Sequence, residues 1–275
     1  MRVIRTLECR GLKLELGERT LIMGILNATP DSFSDGGKFN TIESAVEQAK
    51  LMVAEGADII DIGGESTRPG SMKVDLEEEL KRVIPIIEAV SSSVNVPISI
   101  DTYKAIVAHH ALQAGAHILN DIWGLKHDPE MGRVAERFGS PIILMHNREE
   151  TRYDDFVPDV IADLQACIKL AQQAGITKEQ IILDPGIGFA KTIDHNIQLM
   201  SHLDQISGLG YPVVLGTSRK RFIQQTLGLP ANDVVEGTAV TAVLGIMQGC
   251  DIMRVHDVRA ISRVARMTDA IVKGR

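Results

Sequence analysis

The residue types that could do chemistry recur at one kind of place, the C-terminal ends of short apolar runs. In chain order these ends carry Asn27, Asp61 with Glu65, Asp101, Asn120 with Asp121, His146 with Asn147, Asp184, Ser218-Arg219-Lys220, and Arg254 with His256. Carboxylates and amides can read the hydrogen-bonding edge of a flat heterocycle, and guanidinium and ammonium groups can hold an oxyanion. An ionisable group at the end of a buried run costs several kcal/mol unless it is paired or used. A single Asp or Asn there is as readily a helix N-cap as a site residue. Eight such endings in register describe a polar pocket.

Three loops add to that chemistry. The segment 27–37 is long and polar and ends in Gly36-Gly37, but has Phe33 in its middle, which suits a lid over a substrate. The segment 65–71 offers hydroxyls, the Arg68 guanidinium and a Pro69-Gly70 turn, suited to a bidentate oxyanion contact. Ser218-Arg219-Lys220-Arg221 opens a helical stretch, and three cations there make either an anion site or a solvated basic turn. Arg254 and His256 alternate, so they share one side of a strand. His109, His110, His195 and His202 lie within helical stretches and carry no assignment.

Elements of one kind must position these endings. The eight runs are 21–27, 58–64, 97–102, 117–122, 141–146, 181–186, 212–218 and 252–257. Each is rich in Ile, Val and Leu and too short for a helix, so each reads as a strand buried on both faces. Helical periodicity fills 42–56, 75–90, 103–115, 163–175 and 258–272, with Asp75 and Glu78 resembling a capping box. Strand and helix in alternation give a parallel sheet with right-handed crossovers. Eight units in 275 residues fit a closed (β/α)8 barrel better than an open sheet. Residues 1–20 predict a small hairpin sealing the barrel bottom, and 234–249 an additional helix between the seventh and eighth strands. No linker or charge block divides the chain, so 1–275 reads as one domain.

Composition narrows the function. Hydrophobic residues are 44% and charged residues 24%, which excludes a disordered chain. Aromatics at 4% and a net charge of −7 argue against nucleic acid as a partner. Cys9, Cys167 and Cys250 are too far apart for a zinc ligand set or a disulfide framework. The opening MRVIRTLECR has no apolar leader core and no run is long enough to span a bilayer, so no membrane role and a cytoplasmic setting are expected.

The stretches MGILNATPDSFSDGG, DIIDIGGESTRPG, SIDT, ILNDI, ILMH, LDPGIGFAKT, GTSRKRFI and RVHDV together resemble the dihydropteroate synthase family in order and spacing. The likeness covers the chain from Leu21 onward, and its first motif and its LDPGIGF and SRK pair are the most specific parts. It implies a (β/α)8 transferase that joins (7,8-dihydropterin-6-yl)methyl diphosphate to 4-aminobenzoate, releasing pyrophosphate and 7,8-dihydropteroate. It further implies Mg2+, a place in folate synthesis, sulfonamides as competitors of 4-aminobenzoate, and a homodimer.

Position by position, the resemblance assigns Asp101, Asn120, Asp184 and Lys220 to the pterin pocket. Ile122, Met145 and Phe189 would wall the ring, with Arg254 across its face. Asn27, Thr67, Arg68 and His256 match the diphosphate site, Asn27 offering its oxygen to Mg2+. Phe33, Arg68 and Pro69 would help form the aminobenzoate pocket, with Arg219 beside it. Asp101, Lys220, Arg254 and His256 are the expected catalytic set. Arg221 stands where many relatives carry Ser, so it either meets the aminobenzoate carboxylate or points away. Ala28 stands where Val is frequent. The alternative function is a barrel that binds methyltetrahydrofolate and acts with a corrinoid partner, which has no need of a diphosphate site.

Overall fold

Runs rich in Ile, Val and Leu that are buried on both faces can pair only with one another, and helices must cover the outer side. The computed structural model, which describes residues 3–28, 38–65 and 74–273, follows this rule. A hairpin of β1 (Arg5–Cys9) and β2 (Leu12–Leu16) comes first. The alternation then runs β3 (Leu21–Asn27), α1 (Lys38–Ala54), β4 (Ile59–Gly63), α2 (Leu76–Ser91), β5 (Ile98–Asp101), α3 (Ala105–Gln113), β6 (Ile118–Asp121), α4 (Glu130–Phe138), β7 (Ile142–Met145) and α5 (Phe156–Gln173). It continues with β8 (Ile181–Asp184), α6 (Ile193–Met200), α7 (Leu203–Ser207), β9 (Val214–Leu215), α8 (Arg221–Leu227), α9 (Val235–Met247), β10 (Ile252–Val255) and α10 (Val258–Lys273). Eight parallel strands pair in the order β8-β7-β6-β5-β4-β3-β10-β9, and a bridge between Leu183 and Val213 brings the ends together. This is the (β/α)8 barrel the sequence predicts, with its hairpin and with α9 as the additional helix before the last strand.

Some local expectations change. The fifth helix starts at Phe156 rather than 163, because Phe156, Val157 and Val160 extend its buried face by two turns. The seventh strand keeps only two ladder residues. Asp75 caps α2 by accepting from the Glu78 amide at 2.8 Å, but the Glu78 carboxylate goes to Arg82 at 2.8 Å, so only half of the capping box forms.

The barrel interior has two levels. At the lower level Leu21, Met23, Ile59, Ile118, Ile143, Ile182, Val214 and Ile252 form one apolar cluster with Leu7, Cys9, Leu14 and Leu16. The last four are the inward positions of the hairpin, which therefore plugs the base. One side-chain period higher on the same strands stand Asp61, Asn120, Met145, Asp184, Gly216 and Arg254, with Asp101 above Ser99. Alternation sends residues i and i+2 to the same face. Most strands thus supply an apolar peg and then a residue at the rim, while β5 places the buried Ser99 below Asp101.

Candidate active site

The upper level converges. Asp101, Asn120, Ile122, Met145, Asp184, Ile187, Phe189, Gly216, Lys220 and Arg254 line one cleft at the upper end of the barrel. Eight of these ten were assigned to the heterocycle from sequence. Ile187 and Gly216 were not, and a Gly with no side chain gives no chemical signal of its own.

Arg254 organises the floor. Its Nε donates to Asp61 Oδ2 at 2.6 Å and its Nη2 to Asp101 Oδ2 at 2.7 Å. Burial works against the guanidinium's charge, but Asp61 and Asp101 outweigh it and raise its pKa. Asn120 Nδ2 lies 3.3 Å from Asp61 Oδ2, a longer contact with the same carboxylate. Asp61 is wholly buried and was missing from the sequence-derived site, although it lies within the second run. Its partner lies 193 residues away, and no local spacing reveals such a pair.

Two carboxylates remain for a ligand. Asp101 keeps Oδ1 buried without a hydrogen-bond partner among the described residues. Burial raises its pKa and the neighbouring Asp61 adds to the rise, against the pull of Arg254 and Lys220. Asp184 Oδ1 accepts from the Gly186 amide at 2.7 Å, and burial likewise raises its pKa. A buried acceptor left open costs free energy until something donates to it.

The cations of the SRK segment separate. Lys220 Nζ lies over the Phe189 ring, 4.2 Å from its centroid, and belongs to the cleft. Arg219 has a left-handed backbone (φ +57°), which turns it to a bidentate pair with Asp257 at 2.6 and 3.1 Å. Arg221 is exposed on α8, where the Gln225 amide oxygen, in the orientation that satisfies both groups, accepts from its Nε at 3.0 Å. Neither Arg219 nor Arg221 lines the cleft. Ser218 Oγ accepts from the His256 amide at 3.2 Å and lies 3.1 Å from its Nδ1, so the end of β10 is tied to the segment after β9.

Other strand endings are local devices. Asp121 accepts from the amides of Trp123 (2.9 Å) and Leu125 (2.6 Å), an N-cap-like turn. Glu65 pairs with Lys104 at 2.7 Å. Asn147 Oδ1 accepts from the Arg148 amide at 2.9 Å. Asn27 is exposed at the upper end of β3. Phe33, Thr67, Arg68 and Pro69 lie outside the described residues.

A family model described as "Pterin binding enzyme" matches residues 23–256. A dihydropteroate synthase of Bacillus subtilis is 57% identical over 259 residues, covering 94% of this chain and 91% of that protein. The crystal structure of a dihydropteroate synthase from Clostridium difficile, determined in the presence of pteroic acid, superposes with a TM-score of 0.92 at 50% identity, covering 94% of this chain and 98% of that one. A Yersinia pestis dihydropteroate synthase in a sulfonamide complex superposes with a TM-score of 0.91 at 41% identity, covering 98% and 100%. The chain belongs to the pterin-binding enzyme family and, within it, to the dihydropteroate synthases.

Proposed function

We propose that the cleft holds the dihydropterin ring of (7,8-dihydropterin-6-yl)methyl diphosphate and joins its methylene to the amine of 4-aminobenzoate. The observation that carries this reading is the unpartnered Asp101 Oδ1, buried in the cleft beside Asp184 and Asn120. A pterin edge presents N–H donors and a carbonyl acceptor in one plane, which these carboxylates and the Asn120 amide can satisfy. Ile122, Met145 and Phe189 supply flat apolar walls, and Arg254 lies across the ring face.

Asp101 and Asp184 line this cleft and Asp61 lies beside them, with Arg254 and Lys220 as the facing cations. In their ionised forms these carboxylates favour a dissociative, SN1-like path. The carbon–oxygen bond breaks with its electron pair leaving on pyrophosphate, and the electron-rich ring shares the positive charge with the carboxylates around it. Arg254, His256, Thr67 and Arg68 would bind the departing diphosphate. The lone pair of the aryl amine then forms the carbon–nitrogen bond, and its proton passes to pyrophosphate or solvent. Phe33, Pro69 and Arg219 would flank the amine's ring. Arg221, extended along α8, would leave that ring's carboxylate to other donors.

Among the described residues no cluster of three or more acidic, His or Cys side chains could cage a metal by itself. Mg2+ does not require one, since it keeps few protein ligands and shares phosphate oxygens. Asn27, exposed at the rim with an amide oxygen, fits such a shared ion, which would neutralise charge on the leaving group.

A homodimer is supported by Val240, Leu244 and Met247, an apolar stripe on α9 that is 60%, 43% and 64% exposed, beside Met267 and Ile271 of α10. No helix among the described residues is long and apolar enough to cross a membrane; a cytoplasmic setting belongs to the same proposal. Sulfonamides are expected to compete with 4-aminobenzoate.

The deciding experiment supplies both substrates to the purified protein, with and without Mg2+, and measures pyrophosphate. Release that requires 4-aminobenzoate and Mg2+ is expected. A protein stabilised by methyltetrahydrofolate but not by pyrophosphate, with no turnover, would instead be the corrinoid-linked binding barrel.

A further inference from the structure

Beneath the outer wall of the cleft lies a set of polar groups that the reaction leaves unused. Lys191 curls back under the segment 185–190, which carries Ile187 and Phe189 to the cleft. Its stem is partly exposed while its ammonium is enclosed. Three acceptors surround that ammonium: Gly186 O at 2.9 Å, Phe189 O at 3.1 Å and His146 Nδ1 at 2.7 Å. An ammonium has three donors, so the set is complete.

The arrangement also fixes His146. With Nδ1 accepting, the proton sits on Nε2, which donates to Asp163 Oδ2 at 3.0 Å. Arg148 Nε donates to the same oxygen at 2.6 Å. Burial lowers the His146 pKa to about 4, so the ring is neutral near pH 7, as an acceptor must be. Burial pushes Asp163 upward, but hydrogen bonds from His146 and Arg148 outweigh it and keep the carboxyl below its usual range. Burial lowers the Lys191 pKa to about 7, and in its ammonium form the chain Lys191–His146–Asp163–Arg148 has a donor and an acceptor at every link.

The segment above it needs such support. Gly186 has φ +66°, and a Cβ there would lie 1.9 Å from His146 O, so only glycine fits. Ala190 has φ +46°, a left-handed conformation that L residues adopt at a cost. Backbone of this kind persists where its surroundings over-determine it. Tyr153 Oη donates to Ala190 O at 2.8 Å, the Gly188 amide donates to Asn196 Oδ1 at 2.6 Å, and Lys191 holds the carbonyls of Gly186 and Phe189.

We propose that Lys191 is a positioning residue for the heterocycle: oriented by His146 and Asp163, it locks segment 185–190 so that Ile187 and Phe189 form the cleft wall before substrate arrives. The proposal rests on the pterin reading of the cleft. Through Phe189 it also governs Lys220, which lies on that ring.

The test compares Lys191→Met, His146→Gln and His146→Phe with the wild type. Lys191→Met is expected to raise KM for the pterin diphosphate about tenfold, while kcat stays within about threefold and KM for 4-aminobenzoate within about twofold. Trp123, the chain's single tryptophan, packs in one apolar cluster with Met145 and Phe189, so its emission reports binding of a pterin lacking the diphosphate. That affinity should fall by the same factor. His146→Gln, whose amide oxygen can accept from Lys191, should keep KM near the wild type, whereas His146→Phe should not. An unchanged pterin KM in Lys191→Met, a uniform loss in all constants, or equal behaviour of the Gln and Phe variants overturns the proposal. If Lys191→Met does not fold, the His146 pair decides alone. Wild-type turnover tests the pterin reading separately, so a failure there is distinct from a failure of Lys191.

Discussion

The lower and upper levels of this barrel are built from the same eight strands, two residues apart, yet they do opposite work. Below, Ile59, Ile118, Ile182 and Ile252 interlock with the hairpin leucines, and the buried Ser99 hydroxyl is the one side-chain polar atom there left without a partner among the described residues. Above, Asp61, Asn120, Asp184 and Arg254 occupy the next inward positions and are held in place by charge. The lower level gains from burial, about 1.5–3 kcal/mol for each large side chain removed from water. The upper level gives some of that back, since desolvated charges rarely repay their burial in full. The contrast teaches where stability is made and where it is spent on recognition.

The sharpest way to break the contrast is Asp101→Asn. It keeps the shape but removes an acceptor aimed at the ligand, so kcat should fall about 100- to 1,000-fold, or roughly 3–4 kcal/mol, with a smaller change in pterin affinity. Equal losses in both would make the cleft a plain binding surface. The same residue sets a pH signature. Because burial raises its pKa, the acid limb of kcat/KM should lie above the usual aspartate range, activity being lost as the pH falls and Asp101 protonates. Steady-state rates across pH 4–9 would show a limb that Asp101→Asn lacks.

At the lower level, Leu16→Ala removes a fully buried peg of the plug and should cost about 2–5 kcal/mol of unfolding free energy with kcat unchanged. Urea denaturation alongside the turnover assay checks both halves, and a large fall in kcat would show that the levels are not separable. Asp61→Asn lies between them. Arg254 keeps Asp101 as a partner, so the pterin KM should rise about tenfold, roughly 1.4 kcal/mol, with a modest loss of stability. The smallest effect belongs to Asp163, outside the lumen. Its folded pKa lies below the unfolded value of 3.8, so the stability it lends is full above about pH 4 and is lost as the pH falls further. Thermal melts from pH 5 to pH 3 should bring the wild type toward Asp163→Asn, and parallel curves would contradict the assignment.

Much of the barrel was legible because buried parallel strands have a strong local signature, a short branched apolar run followed by a polar residue. The site was legible where function and position coincide, as at Asp101, Asn120, Asp184 and Lys220. What stayed hidden depends on partners far away in the chain. Asp61 reads as one more strand ending until Arg254 is seen against it. Asp121 has the same form, yet local amides claim it as a turn cap. Arg219, Lys220 and Arg221 look like one cationic cluster, but a left-handed backbone at Arg219 and a helix start at Arg221 send the three side chains in different directions. The family resemblance supplied roles that residue chemistry alone left open.

The hairpin at the base has one more implication. With its floor stoppered by Leu7, Cys9, Leu14 and Leu16, the lumen is a blind well whose occupants share a doorway at the top. A ligand held deepest in such a well is expected to enter ahead of one held nearer the mouth, an order that product-inhibition kinetics would read.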